Sequence, residues 1–354
     1  MKTETLLPLG KLDPGLAVPD SPLDLASVPR EAGLVDRLGY HGLLMEETKD
    51  DPFAVLALAA TASSRVQLGT SVAIAFARSP YVTAMSAWTL QKLSGGRFEL
   101  GLGSQVRGHV RRRFGMEWHP PGPWMRDYVR AVRAIWTAWQ HETRLEFDSA
   151  HYKLDLSVPL FTPAPIEHPD IPILVAAVNP YMAGVAAAVA DGVRLHPVCS
   201  PRYIAEVIRP AVAARRPTGQ RFELCLKPLI ATAGDADTLA RRTEIARQRL
   251  AFYVSTPAYR LPFERAGLGD LAAELAQLSK QQRWNEMAKR IDDAVLHEWV
   301  VVAPYADLAA TLVARYGQLV DRVEVSIPQS TPGDHAVLAG ILDELARAPA
   351  APAA

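Results

Sequence analysis

The stretch "LGTSVAIAFARSPYVTAMSAWTLQKLSGGRFELGLGSQ", residues 68–105, contains a complete strand–helix–strand repeat. Apolar residues run almost without interruption through 65–75 and again through 97–103, which predicts two strands buried on both faces. Between them, residues 79–96 begin with Ser-Pro and end with Gly-Gly, which are start and stop signals of a helix. This order of elements is the unit from which parallel sheets are built.

The same unit recurs along the chain and gives eight strand–helix pairs. The predicted strands cover residues 4–10, 41–47, 65–75, 97–103, 170–177, 192–197, 221–233 and 321–328. The helices that follow them cover residues 25–39, 51–63, 79–96, 124–139, 180–192, 201–214, 235–254 and 335–348. Eight parallel units predict an α/β fold of the (β/α)8 TIM-barrel type, with an open doubly wound sheet as the alternative. The segment G-L-G-S-Q-V at 101–106 lacks the third glycine of a dinucleotide-binding turn, which disfavours that alternative.

Two segments do not fit the repeat. Residues 144–169 are rich in proline and aromatic residues, and residues 255–306 add helical sequence before the last strand. Neither segment is bordered by a Gly/Ser linker, so we expect residues 1–354 to form a single barrel domain with these two insertions.

The composition excludes several classes of partner. The chain has 38 Lys and Arg against 38 Asp and Glu, and this balance argues against nucleic acid or an anionic membrane as the main partner. Cys199 and Cys225 are the two cysteines, which fits a reducing compartment. No apolar segment is long enough to span a membrane and the first residues lack a signal-peptide core. We therefore expect a cytoplasmic enzyme that acts on a small molecule.

In a barrel of this type the active site lies at the carboxyl ends of the strands. "MEETKDD" places Glu46 and Glu47 at such an end, where the alternation of side chains turns one inward as a hydrogen-bond acceptor or proton relay. An exposed acidic loop is the alternative. Lys227, the candidate lysine at a strand end, would be needed if the barrel were an aldolase or isomerase.

Basic residues follow two other strands. Ser200 and Arg202 open a helix whose free N–H groups suit a phosphate, although simple capping by Ser200 explains the same pattern. Residues 107–113 hold four arginines and His109, which suit the anionic tail of a ligand or form a solvated helix face. No metal-binding spacing of histidines and no G-x-S-x-G motif is present, so a metal site and a serine hydrolase are disfavoured.

Three blocks of the chain, 68–105, 171–193 and 321–328, resemble the luciferase-like monooxygenase superfamily. More closely, the sequence resembles the branch of oxidoreductases that use the deazaflavin coenzyme F-420. The resemblance implies a barrel with insertions and a third strand that ends in a bulge with a non-prolyl cis peptide, here Ser71–Val72, behind the cofactor ring. It also implies a homodimer, since family members are commonly dimers.

The resemblance also assigns site residues. Glu47 matches an acidic position of the family, but Thr48 stands where relatives often have a catalytic His, and Val106 replaces an acidic residue. We expect Glu47, Thr48 and His196 to carry the catalytic step. The cofactor contacts implied by the resemblance are Glu47, Ser71, Val72, Gly103, Ser104, Gln105, His109, Ala176, Ala177, Val178, Asn179, His196, Pro197, Val198, Cys199, Ser200 and Arg202.

The function implied is hydride transfer between coenzyme F-420 and a small, apolar organic substrate. The substrate would lie near Thr48, residues 73–78 and the insertion at 144–169, where Phe76, Trp118 and Trp124 either contact it or pack the loops. An FMN-dependent monooxygenase of the same fold that uses dioxygen is the first alternative. A non-catalytic flavin-binding barrel is the second, and the replacements at Thr48 and Val106 favour it.

Overall fold

The computed structural model describes residues 1–11, 22–216, 219–329 and 331–349. Eight parallel strands close into a barrel in which each strand pairs with the next and the last pairs with the first. This confirms the predicted (β/α)8 fold. We number the barrel strands β1 (Lys2–Leu6), β2 (Gly42–Met45), β3 (Gln67–Thr70), β4 (Phe98–Gly103), β5 (Ile173–Ala177), β6 (Gly192–Leu195), β7 (Glu223–Leu226) and β8 (Arg322–Glu324).

One helix follows each barrel strand on the outside of the barrel. These are α1 (Val28–Leu38), α2 (Pro52–Ala60), α3 (Pro80–Leu93), α4 (Pro121–Gln140), α5 (Pro180–Val189), α6 (Pro201–Tyr203, Ile204–Ile208 and Arg209–Ala213), α7 (Leu308–Tyr316) and α8 (Pro332–Arg347). The middle part of α6 is a π-helical turn.

Local chemistry explains where most of these helices begin. In five of them the residue before the helix accepts a hydrogen bond from a backbone N–H of the first turn, and proline follows it directly. Proline suits the first helical position because the N–H of that position has no partner within the helix and proline has no N–H. The capping residues are Asp51, Ser79, Asn179, Ser200 and Thr331. Asp51 therefore caps α2, and Ser200 caps α6.

The structure corrects the seventh predicted unit. Residues 221–233 are not one strand, because the chain leaves the barrel after Leu226 and a second strand, Leu229–Ala233, pairs with Val300–Pro304 in a separate sheet. The predicted helix 235–254 packs on that sheet as Ala236–Ser255, and α7 is the helix that leads from this segment back to β8. Periodicity alone could not separate two short strands that are adjacent in sequence.

The segment from Leu229 to Pro304 has an apolar core of its own. Leu250, Phe263, Leu275 and Trp299 are buried in it, apart from the main core around the barrel. Its other helices are Arg260–Arg265, Gly269–Lys280, Trp284–Met287 and Asp293–Trp299, with 3-10 turns at Pro257–Tyr259 and Ala288–Arg290. Residues 144–169 form a hairpin of Phe147–Asp148 and Lys153–Leu154 and a 3-10 turn at Pro159–Phe161.

The interior of the barrel carries charges that the sequence interpretation missed. Arg194 Nη1 binds Glu4 Oε2 at 2.9 Å, and Arg322 Nη1 binds Glu4 Oε1 at 2.9 Å and Glu99 Oε2 at 2.7 Å. Arg194 also pairs with Glu99, and Arg322 with Glu223. We call these five residues the interior charge network. Each of five barrel strands contributes one residue of this network. The neighbours of that residue in the sequence are mostly apolar, so each strand has the pattern of an apolar run.

Glycines make room for this network. A Cβ on Gly42 would lie 3.2 Å from Glu4 Cγ, and one on Gly69 would lie 2.8 Å from Glu99 Cγ. The barrel interior at this level therefore holds long charged side chains where barrels usually hold branched apolar ones. Cys199 and Cys225 are free thiols, and no helix within the described residues is long and apolar enough to cross a membrane.

Acid is expected to destabilise the protein through the interior charge network. Burial opposes the ionisation of Glu4, but Arg194 and Arg322 outweigh it and hold the pKa of Glu4 at about 2. Because the pKa is about 4.5 in the unfolded chain, the stabilisation is present above that pH and is lost as the pH falls toward 2. For Glu4 alone, the free energy of unfolding in urea should fall on the order of 3 kcal/mol over this range.

A pair of variants checks this assignment. Glu4→Gln leaves two buried arginines short of a partner and should cost about 3–5 kcal/mol at neutral pH while flattening the acid dependence. Glu344→Gln, on the exposed side of α8, should leave both quantities unchanged. A wild-type unfolding free energy that stays constant between about pH 5 and 2 would contradict the prediction.

Candidate active site

The carboxyl ends of the barrel strands form one mouth, and small apolar residues after β3 to β5 lie on one side of it. A cis peptide bond joins Ser71 and Val72 just after β3, as the resemblance implied. Gly103, the last residue of β4, lies against Val72, since a Cβ there would be 2.5 Å from Val72 Cγ2 and 4.0 Å from Ala176 Cβ. We call Val72, Gly103 and Ala176 the platform, and any side chain at position 103 would collide with Val72.

Glu47 is turned away from the barrel interior and organises the loop after β3. Its Oε2 accepts hydrogen bonds from Ile74 N at 2.7 Å and Arg78 Nη1 at 2.5 Å. Arg78 also binds Asp51 Oδ2 at 3.0 Å and lies over the ring of Phe53. Glu47 therefore ties the end of β2 to the segment that follows the cis peptide. Arg78 was not predicted from the sequence, although it lies only four residues beyond Ile74.

Glu46 is the neighbouring carboxylate, and it reaches across the mouth. Its Oε1 lies 2.9 Å from Lys227 Nζ, which follows β7, and Lys227 Nζ lies 3.5 Å from Glu324 Oε1 on β8. Two strands, β1 and β8, separate β2 from β7 in the barrel, so this contact passes over the barrel interior. Of the two adjacent glutamates, Glu46 is thus the one that faces inward. Lys227 is ion-paired in this arrangement.

His196 stands at the end of β6 and is covered by the inserted segment. Its ring lies 4.2 Å from that of Tyr259 and 4.8 Å, edge to face, from that of Tyr253. Both tyrosines belong to the segment from Leu229 to Pro304, which therefore walls this side of the mouth. No sequence pattern indicated this pairing, because the tyrosines come from a region that does not follow the strand–helix repeat.

The loop after β6 leads from His196 into a buried stretch. Pro197, Val198, Cys199 and Ser200 are buried, and Trp299 Nε1 donates a hydrogen bond to Val198 O at 2.8 Å. Burial raises the pKa of the Cys199 thiol to about 12, so it stays protonated and unreactive at neutral pH. The buried side chains of this stretch thus hold the loop in place. Its backbone and Ser200 lie at the start of α6.

A cleft of about 200 Å³ opens beside the start of α6. It is lined by Arg202, Tyr203 and the carboxylate Glu206 on one side and by Arg265, from a helix of the inserted segment, on the other. Among the described residues, the buried Tyr203 Oη has no hydrogen-bond partner. Two cations and a hydroxyl without a partner suit a phosphate, and the Glu206 carboxylate offsets part of the positive charge. Arg202 was predicted here, whereas Arg265 and Tyr203 were not.

The remaining predicted residues fall into two groups. Thr48 and His109 are exposed, and His109 lies on a short helix, Arg107–Arg112, whose neighbour Arg113 donates to Thr48 O at 2.8 Å. Ser104 and Gln105 follow the platform, and Gln105 has a positive φ of 53°. After β5, Ala177 is buried, Val178 and Asn179 are half-buried, and the Asn179 side chain caps α5.

The aromatic residues near the mouth mostly pack on one another. Phe76 and Trp124 are buried, with ring centroids 3.6 Å apart and nearly parallel planes. Trp124 Nε1 donates to Tyr152 Oη at 2.6 Å, which joins the hairpin of the first insertion to α4. Arg107 lies over the ring of Trp118. Of the two explanations for these aromatic residues, loop packing is the one that these contacts support.

The positions that follow β2 to β6 all converge on this mouth, and comparison with known proteins identifies the family. Residues 11–322 match the family of luciferase-like monooxygenases. The chain belongs to the luciferase-like monooxygenase family. The likeness noted in three blocks of the sequence therefore extends over most of the chain.

Individual relatives refine this picture. The chain is 42% identical over 306 residues to an uncharacterized protein of Mycobacterium bovis, and the aligned region covers 85% of this chain and 90% of that protein. It is 32% identical over 275 residues to a Mycobacterium tuberculosis protein provisionally named a coenzyme F-420-dependent oxidoreductase, over 71% of this chain and 76% of the other. The coenzyme F-420-dependent tetrahydromethanopterin reductase of Methanopyrus kandleri shares the fold, with a TM-score of 0.72, 18% identity and 98% coverage of both chains.

A substitution at Gly103 tests the platform. Gly103→Ala should force Val72 to move and should destabilise the protein by about 1–3 kcal/mol, seen as a lower midpoint of thermal unfolding. Gly108→Ala is the matched control, because a Cβ there would meet nothing within 4 Å and the residue lies in a helix, where alanine is favoured. Equal midpoints for the two variants would show that β3 and β4 do not meet as described.

Proposed function

We propose that this protein is an oxidoreductase that transfers a hydride between the deazaflavin coenzyme F-420 and a small, apolar organic substrate. The observations that carry the proposal are the small residues Gly103 and Ala176 beside the cis peptide after β3, and the cleft at the start of α6 that holds Arg202 and Arg265. The relative that is provisionally named a coenzyme F-420-dependent oxidoreductase supports the same reaction class. A deazaflavin has the two features that these parts suit, a flat ring system and a phosphate.

The residues present fit such a cofactor. The platform offers the ring a surface from which no side chain projects at Gly103, where a Cβ would collide with Val72. Arg202, Arg265 and the unsatisfied Tyr203 Oη offer a phosphate two charges and a hydroxyl donor. Arg111 and Arg112 are exposed on the short helix beyond Gln105 and supply charge for the longer anionic tail that distinguishes F-420 from FMN.

The protein's own contribution is placement and control of water. When bound, a deazaflavin supplies the carbon that accepts or releases a hydride. Glu47 and Arg78 hold the loop after β3, so the platform stays in one position while ligands bind. His196, Tyr253 and Tyr259 wall the opposite side and narrow the access of water to the mouth.

An FMN-dependent monooxygenase is the second candidate, and the name of the family favours it. Its phosphate would occupy the same cleft, so the tail-binding arginines are the feature that separates the two. The aldolase hypothesis loses support, because Lys227 Nζ is held by two carboxylates and a Schiff-base lysine must be a neutral amine.

Direct titration tests the choice of cofactor. The apoprotein should bind coenzyme F-420 with a change in its fluorescence, and it should bind FMN at least tenfold more weakly. The absorbance of the reconstituted protein identifies the chromophore independently. Tighter binding of FMN would favour the monooxygenase, and saturable binding of neither compound would remove the proposal.

Arginine variants test whether the phosphate of the cofactor binds in the cleft at the start of α6. Arg202→Ala and Arg265→Ala should each weaken F-420 binding by about tenfold or more, since a charged hydrogen bond contributes about 1.5–3 kcal/mol. A deazaflavin fragment without phosphate and tail should bind these variants and the wild type equally. Arg260→Ala, which removes an exposed arginine paired with Glu264, is the control. If the fragment also loses affinity, the cleft does not hold the phosphate.

A triple substitution separates the binding of the cofactor's tail from the binding of its phosphate. Replacing Arg111, Arg112 and Arg113 with alanine should weaken the binding of long-tailed F-420 more than that of the tail-less fragment. The effect should shrink as salt is added, because these charges are exposed. Equal affinities for both compounds would show that the short helix does not contact the tail.

We also propose that the protein is a homodimer. Val82 and Met85 on α3 are about half exposed, and Leu160 and Phe161 beside them are 83% and 70% exposed. Tyr81 Oη donates to Phe161 O, which places the two segments side by side. An exposed apolar surface of this kind is typical of a protein–protein interface.

A further inference from the structure

A group of histidine, aromatic and carboxylate side chains at the rim of the mouth has no role in the function described so far. His151 Nδ1 lies 2.6 Å from Asp127 Oδ2, and the rings of His119 and His151 are 5.4 Å apart. The Trp124 ring lies 5.0 Å from that of His119 and 6.3 Å from that of His151. We call His119, Trp124, Asp127 and His151 the histidine corner.

The histidine corner adjoins the platform on the side away from the phosphate cleft. Trp124 and Asp127 lie near the beginning of α4, which is at the mouth because the chain reaches α4 from the carboxyl end of β4. Trp124 stacks on Phe76, which is four residues beyond Val72 of the platform. Around the barrel, β6 is followed by β5, β4 and β3, so the platform lies between the cleft at the start of α6 and the histidine corner. A ligand that spans the platform from this cleft therefore reaches toward the histidine corner.

Asp127 fixes which nitrogen of His151 can meet a ligand. An ionised carboxylate only accepts hydrogen bonds, so Nδ1 carries the proton and the neutral ring has its lone pair on Nε2. Among the described residues, Nε2 has no hydrogen-bond partner and does not belong to the buried polar atoms that lack one, so it lies at the exposed part of the ring. The whole His151 side chain is only 12% exposed, which keeps the ring in one orientation.

A ring held in this way suits a hydroxyl group of some acidity. Neutral His151 accepts a hydrogen bond from a hydroxyl through Nε2, and protonated His151 donates one to the oxyanion. Asp127 stabilises the protonated form, so the same nitrogen serves both states of the ligand. The flat ring of Trp124 beside it offers an apolar surface to the aromatic group that carries such a hydroxyl.

We propose that His151 is a specificity-determining residue that binds the ring hydroxyl of the deazaflavin, and that Asp127 is the positioning residue that orients it. The inference rests on the proposed function and adds a second feature that separates F-420 from FMN. The ring system of F-420 ends in a phenolic hydroxyl, whereas FMN has a methyl group at the same place. A methyl group forms no hydrogen bond with Nε2, so FMN gains nothing from His151.

The pair of Asp127 and His151 also fastens the hairpin of the first insertion to α4, but it does not do so alone. Trp124 Nε1 donates to Tyr152 Oη at 2.6 Å and joins the same two elements. Variants at Asp127 and His151 therefore keep one link between the hairpin and the helix.

The first test needs no cofactor. The chain has nine histidines, and 15N NMR of histidine-labelled protein shows which ring nitrogen of each carries the proton. His151→Gln identifies the His151 signals by their loss. At about pH 8, Nδ1 should carry the proton and Nε2 should not. Asp127→Asn should shift these signals, whereas Asp343→Asn, on the exposed side of α8, should not. A proton on Nε2 at this pH would overturn the inference.

The second test follows the visible absorbance of bound F-420, which differs between the phenol and the phenolate. As the pH falls, His151 takes up a proton and its positive charge favours the phenolate. The midpoint of the change should therefore lie at least half a unit higher in His151→Gln than in the wild type. His141→Gln, which removes an exposed histidine at the far end of α4, should keep the wild-type midpoint.

Two tail-less deazaflavin fragments give a measurement on the wild type alone. One carries the ring hydroxyl and the other has hydrogen in its place. The wild type should bind the hydroxyl compound about tenfold more tightly, and equal affinities would overturn the inference. His151→Gln should bind the two fragments within about twofold of each other. Its affinity for the hydroxyl-free fragment should match that of the wild type, which checks that the rest of the site is intact.

The outcomes separate the two proposals. If F-420 binds but its absorbance midpoint is the same in the wild type and in His151→Gln, the hydroxyl does not meet His151 and only this inference falls. If neither F-420 nor FMN binds the wild type, or if FMN binds more tightly, the proposed function falls and this inference falls with it.

Discussion

The ion pairs inside the barrel are the constraint around which the rest of the structure is arranged. Glu4, Glu99, Arg194, Glu223 and Arg322 bring five strands together by contacts that only a closed cylinder can make. Removing charges from water is costly unless every partner is present. The network therefore stabilises the closed barrel, and a partly formed barrel would leave some of these charges without a partner. It also fills the lower interior, which leaves the mouth as the place where a ligand can enter.

The architecture could be predicted from the sequence because its signals are local. Capping residues followed by proline mark the beginnings of α2, α3, α5, α6 and α8, and apolar runs mark the strands. The seventh unit failed for the same reason, since Glu223–Leu226 and Leu229–Ala233 are both apolar and only pairing with distant strands separates them. The interior charges were missed because one charged residue per strand does not break an apolar pattern.

The location of the candidate site could be predicted from the sequence, but the contacts between its side chains could not. The residues after β2 to β6 meet at one mouth, as a barrel requires, and the cis peptide lies at Ser71–Val72. Alternation showed that one of Glu46 and Glu47 points inward, but it did not say which. Arg265 and Tyr259 come from an insertion whose position relative to the barrel is set by tertiary packing alone, and no short-range pattern encodes it.

The inserted segment from Leu229 to Pro304 has a consequence for how this protein can diverge. Its buried side chains pack largely on each other, and it reaches the barrel through contacts such as Trp299 with Val198 and Tyr259 with His196. Substitutions at exposed positions of its helices can reshape the entrance without changing the strand pairing of the barrel. New specificities can thus accumulate in a segment that has an apolar core of its own, while the strands of the cylinder stay the same.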